Sequence, residues 1–278
     1  MDFYSLCDAA THLKMYPVFD VIHYTMMCLN VKEDVQKSDG DSIVPFPFSR
    51  QHPLALWFSS MLMCFASQIW LALLFNTPLA AVFNNPDSIL IASAVWYVVN
   101  YTPADIAYKL LSFKLFKLII SCMKEVHRVY GIHAGVILAY KKYPSQYLLQ
   151  VIAGILKGAE GEIMLSSARF IIGLFRPRES IFLFPDFVLK GSTVISVLFV
   201  LRAAHIIHIE HTIVFSCSIA VLIYLRISMM LLGTRDPFLP FENLICSVIF
   251  GGMWDALRRA RAEPVNGAIT SEAKLKKS

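Results

Sequence analysis

Between Pro53 and Pro86 the sequence holds no charged residue at all. Nothing else in the chain constrains its fold as strongly. A bilayer core of about 30 Å takes roughly 20 apolar residues in a helix, and residues 54–75 supply such a run. Composition agrees. Hydrophobic residues make up 56% of the chain, charged residues 16%, and the mean hydropathy is +0.58. A soluble domain carries about 25% charged residues, so much of this surface is suited to lipid. The net charge of +5 is small and dispersed, which gives no reason to expect a nucleic acid partner. Its basic residues matter for topology instead.

Further apolar runs lie at 89–101, 116–140, 147–175, 188–203 and 213–232. Residues 16–31 are also apolar, although they hold Pro17 and Asp20. Seven spans are therefore predicted. Residues 1–16 have no basic stretch before an apolar core, so the first span is expected to be an uncleaved anchor. An odd number of spans puts the termini on opposite sides. With the N-terminus luminal, the cytosolic segments hold Lys32, Lys37, Arg50, Lys109, Lys114, Lys117, Arg176, Arg178, Lys190, Arg235 and a basic tail. The luminal segments hold little beyond Lys14, Lys141, Lys142 and Arg202. The positive-inside rule favours that orientation.

Two stretches share a plan. After Pro53 an apolar span is broken by the small residues Ala66 and Ser67, with Phe75 and Pro78 following. After Pro144 a second span is broken at Gly154, Gly158 and Gly161, with Phe175 and Pro177 following. A three-span unit used twice, with a seventh span added, would be an inverted repeat, an arrangement that often marks an ion or substrate path.

An ionisable group at the bilayer centre costs from about 2.5 kcal/mol upward. Two clusters meet that condition. In the fourth span, Lys117, Ser121, Lys124 and Arg128 share one helical stripe, and Glu125 is three residues from Arg128. The stripe suits either an anionic lipid head group or snorkelling side chains that pin the helix. In the fifth span, Lys157, Glu160 and Glu162 sit among glycines, with Lys157 and Glu160 spaced to pair. That segment reads either as a pore wall or as a packed interface with an internal ion pair. Asp20 and His23 either line the same cavity or sit near the interface.

Other features carry less. Cys7, Cys28, Cys64, Cys122, Cys217 and Cys246 form no CxxC pair and read as small apolar residues. No metal site is expected. His205, His208 and His211 with Glu210 read as a solvated interfacial cluster. HExxH, GxSxG, P-loop and Rossmann signatures are absent from the sequence, so no enzyme is expected. The tail ends KLKKS, and Lys274 with Lys276 read either as a retrieval signal for the endoplasmic reticulum or as an ordinary basic tail.

The run KEVHRVYGIHAGV at 124–136 resembles the KEVxRxxKIxxGV signature of trimeric intracellular cation channels. The runs SILIASAVWY at 88–97, MLMCF at 61–65 with Ala66 and Ser67, and KGAEG at 157–161 resemble that family's third, second and fifth spans. The likeness covers about residues 16–250. It implies an all-α polytopic membrane protein with seven transmembrane helices, two inverted three-helix repeats plus a seventh helix. The channel domain would be 1–232, with repeat one about 10–112, repeat two about 113–206 and the seventh span about 211–232. A basic cytosolic tail, 233–278, would follow. The resemblance implies a homotrimer in the endoplasmic or sarcoplasmic reticulum, with one potassium-permeable pore per subunit. That pore would supply counter-ion current and couple functionally to calcium-release channels. It also implies phosphatidylinositol bisphosphate at Lys124 and Arg128, and a helix break at Gly158 beside Lys157, more loosely at Gly161.

The sequence departs from the family pattern at four places. Gly131 stands where a basic residue is usual, Glu160 where a second glycine is usual, and Ala66 where glycine often appears; Glu162 is an additional acid. Two other classes remain open at this point: a secondary ion-coupled transporter, and a non-conducting lipid-binding membrane scaffold.

Overall fold

The structure is a computed structural model; it describes residues 3–39, 48–171, 181, 185–233 and 236–249. The predicted retrieval lysines Lys274 and Lys276, and the end of the fifth apolar run with Phe175, Arg176, Pro177 and Arg178, lie outside these residues. All regular structure described is helical. The helices are α1 (Phe3–Thr11), α2 (Val18–Asp39), α3 (Phe48–Gln51), α4 (Pro53–Cys64), α5 (Ala66–Leu74), α6 (Pro86–Tyr101), α7 (Ile106–Ser112), α8 (Lys114–Lys142), α9 (Tyr147–Gly158), α10 (Glu160–Ile171), α11 (Phe187–Ala203), α12 (His211–Leu232) and α13 (Leu239–Ile249). Contacts divide the chain into residues 1–234 and 235–278; only α13 is described in the second unit.

Each apolar run of the sequence is largely helical over its described residues. Proline sets several boundaries: Pro53 and Pro86 occupy first-turn positions of α4 and α6, where the missing N–H costs nothing. α12 alone is long and apolar enough to cross a membrane by itself, among the described residues. α4 with α5, bent by 60°, and α6 with the segment ending at Ser112, bent by 86°, pass the same test as pairs. α8, at 29 residues, spans about 43 Å, but its charges lower its hydropathy. α1 was not foreseen. It packs on α12, and the Tyr130 hydroxyl donates to the Ala10 carbonyl at 2.5 Å while accepting from the Leu13 N–H at 3.1 Å.

The surface is turned inside out relative to a soluble protein. Leu54, Leu90, Leu148, Tyr224 and Leu231 face outward, while His23, Lys32, Lys124, Glu125, Arg128, Gln150 and Glu160 are buried. Apolar groups outside and paired charges inside are what a lipid solvent selects. Lys32, expected in a cytosolic segment, is buried on α2. Its ammonium donates to the Val99 carbonyl and to Asp105, each at 3.0 Å.

α8 and α9 lie in close contact at the centre. Gly135 makes this possible: a Cβ there would lie 2.6 Å from the Ala153 carbonyl oxygen. α9 also packs on α11, where Cβ atoms at Gly154 and Gly158 would lie 2.5 Å from the hydroxyls of Ser196 and Ser192. The expected breaks are therefore relocated. Gly154 lies within α9 and Gly161 within the first turn of α10, and the break itself falls at Ala159 (φ −112°, ψ 28°), directly after Gly158. In the other broken helix it falls at Phe65 (φ −107°, ψ 14°), just before Ala66 and Ser67.

Candidate functional site

The two breaks face one another, since α10 packs on both α4 and α5. A broken helix leaves carbonyls at one half's end and N–H groups at the other's start without intrahelical partners. Here those ends border a cavity of about 250 Å³ lined by Asp20, Ser67, His127, Gly131, Lys157 and Glu160 among others. Ser67 is the second residue of α5 and Glu160 the first of α10. A carboxylate at a helix N-terminus is favoured by the backbone dipoles behind it, and Ser67 lines the same cavity as Glu160.

Three helices deliver the charges. Lys124 of α8 donates to Glu160 Oε1 at 3.1 Å and, in a very short bond, to His23 Nδ1 of α2. His23 Nδ1 itself lies 3.2 Å from Glu160 Oε1. His23 and His127 stack at 4.8 Å, and His127 Nε2 sits 3.5 Å from Asp20 Oδ1. Lys124 is only 7% exposed and Glu160 only 4%, so each charge needs the other as its counter-charge.

The next residue of α8, Glu125, is wholly buried between two arginines. It accepts from Arg128 Nη1 at 2.5 Å and from Arg226 Nε of α12 at 2.7 Å. The expected stripe therefore exists, but it turns inward. Lys117 is exposed and pairs with Glu33 at 3.4 Å, whereas Ser121, Lys124 and Arg128 are buried. The Glu125–Arg128 pair follows its spacing. The expected Lys157–Glu160 pair does not form; Glu160 faces Lys124 and His23 instead. Lys157 lines this cavity and a second one of about 330 Å³ that contains Gln68, Phe75 and Lys142. Gly131, where a basic residue was expected, lies over the Lys157 carbonyl, 3.3 Å from where a Cβ would stand.

Sequence reasoning missed Arg226 and His127 as site residues. A signal for Arg226 was present, since it is the one Asp, Glu, Lys or Arg residue in α12. The exposed residues His205, His208 and Glu210 line a cavity of about 520 Å³. His211 joins His133 instead, with 2.9 Å between their Nε2 atoms.

A model of the TRIC channel family matches residues 44–233. The trimeric intracellular cation channel type 1B.1 of Caenorhabditis elegans is 39% identical over 251 residues, covering 90% of this chain and 83% of its own. The chain belongs to the TRIC channel family. A solved trimeric intracellular cation channel from C. elegans, determined without Ca2+, is similar with a TM-score of 0.74 and 33% identity. That match covers 84% of this chain and 97% of the other. A structure described as bearing on the activity of TRIC counter-ion channels in calcium release gives a TM-score of 0.74 at 27% identity, over 84% of this chain and all of the other. The family is one of membrane channels.

Proposed function

We propose that this chain is a potassium-permeable subunit of a homotrimeric cation channel. It would cross the membrane of the endoplasmic or sarcoplasmic reticulum seven times, with a luminal N-terminus and a cytosolic C-terminus. Its two inverted three-helix repeats would take in residues 10–112 and 113–206, and each subunit would hold its own pore. The current would balance charge during calcium release. The observation that carries this reading is the pair of cavities sharing Lys157, the first of them also lined by Glu160 of the Lys124–His23–Glu160 cluster where a helix breaks. Peptide groups freed at such breaks can stand in for ion hydration. The relatives' names, and the counter-ion role in one title, support the direction.

A phosphoinositide head group is the proposed lipid ligand of Lys124 and Arg128, with Lys117 and Ser121 beside them. It would compete with Glu160 and Glu125 for those cations, and the exposed Lys117 offers a first contact.

Single-channel recording of the purified protein in planar bilayers, under a potassium gradient with a large impermeant anion, tests conduction. Discrete steps reversing near the potassium potential are expected. Saturable coupled flux without steps would favour a transporter, and silence from folded protein supplied with phosphoinositide would favour a scaffold. Replacing Lys124 and Arg128 together with Gln should abolish binding to phosphoinositide liposomes; undiminished binding would remove those residues from the lipid site.

A further inference from the structure

We propose that His23, His127 and Glu160, with Asp20 beside them, form a binding site for a divalent transition-metal ion of the Zn2+ type, and that the ion competes there with the Lys124 ammonium. One ligand atom from each of the three residues lies within 4.8 Å of the others. Nitrogen and oxygen ligands about 2.0–2.2 Å from a tetrahedral ion stand roughly 3.4 Å apart, so a contraction of at most about 1.4 Å brings these three within reach of one ion.

The tautomer of His23 is already set for it. His23 Nε2 lies 3.0 Å from the Cys64 carbonyl oxygen. A carbonyl can only accept, so Nε2 carries the proton. The Lys124 ammonium can only donate, so the Nδ1 it contacts offers a lone pair. A ligand imidazole whose other nitrogen donates to a backbone carbonyl is the usual support of a metal site. With that lone pair fixed, Nδ1 and Glu160 Oε1 are two acceptors 3.2 Å apart. They hold that distance because a cation bonds both, and Lys124 supplies it. The cluster is thus a cation site filled by a tethered ammonium.

His127, stacked on His23, adds a second imidazole, and Asp20 adds a second carboxylate 3.5 Å from His127 Nε2. Asp20, His127 and Glu160 all open onto the 250 Å³ cavity, which gives an ion its way in. Two imidazoles with carboxylate select zinc-like ions; Ca2+ takes six to eight oxygens and does not fit. The site holds whether or not the chain conducts, because its readout is binding.

Titration of the purified full-length protein in detergent with Zn2+ alone, followed calorimetrically, tests it. Saturation near one ion per chain is expected. His127→Ala and Glu160→Gln should each weaken binding by about tenfold or more. Lys124→Met removes the competing ammonium and should tighten it. The double variant His205→Ala and His208→Ala, away from this cavity, should leave it unchanged, as should millimolar Ca2+. Should Glu160→Gln fail to fold, His127→Ala decides, since it leaves the Lys124–Glu160 bond intact. Absence of Zn2+ binding by the native chain would overturn the proposal. So would binding that survives His127→Ala and disappears with His205 and His208.

Discussion

Glu125 shows what a single residue contributes here. It is wholly buried and bonded to Arg128 and Arg226. Removing the carboxylate leaves a buried guanidinium without its counter-charge, a loss of about 3–5 kcal/mol. Glu125→Ala should therefore lower the thermal unfolding midpoint sharply. Adding Arg226→Met should restore little, because Arg128 stays buried and uncompensated. A native-like midpoint for Glu125→Ala would refute this account. The partnership with Arg128 was readable at three residues' spacing. That of Glu160 was not: its partner Lys124 stands 36 residues away, and Lys124's other partner His23 a further 101. The nearby Lys157 offered an equally good local pairing, which the fold declined.

At the scale of the element, the glycines of α9 pack it against its neighbours, and the bend lies at Ala159. Phe65 and Ala159 hold the non-helical backbone at the two breaks, with Gly158 directly before the second. A Cβ at Gly158 would stand 2.5 Å from Ser192 Oγ and 2.6 Å from Ile132 Cγ1. Gly158→Val should accordingly cost about 1–3 kcal/mol by overpacking, read as a lowered unfolding midpoint in detergent. Gly131→Ala, whose nearest neighbour would be 3.3 Å away, should be much milder. Equal losses from the two would mean that close approach is not what Gly158 provides. Hydropathy located α6, α8, α11 and α12 to within a few residues, but it ended the first span at Val31 whereas α2 runs to Asp39. It missed α1, and it missed α13 within a stretch read only as a basic tail. It also put the break where glycine suggested, since a bend can equally be imposed by packing on an ordinary residue.

For the whole molecule, an apolar exterior around paired charges predicts a protein stable only in lipid or detergent. If the proposed assembly holds, light scattering of the detergent complex should give a protein mass three times the 31.4 kDa subunit. A monomer at all concentrations would refute the trimer while leaving the fold intact. Hydrophobicity is additive along a chain, so the apolar helices, most of their approximate ends and the costly charges within them were legible in the order of residues alone. The KEV-containing run was specific enough to carry the family. Which charges neutralise one another depends on how helices far apart in sequence meet, and on water being excluded where they do. The packing of distant helices therefore decided that Ser121, Lys124 and Arg128 face inward while Lys117 does not, gave Glu160 to Lys124 and His23, buried Lys32, and brought Arg226 across to Glu125.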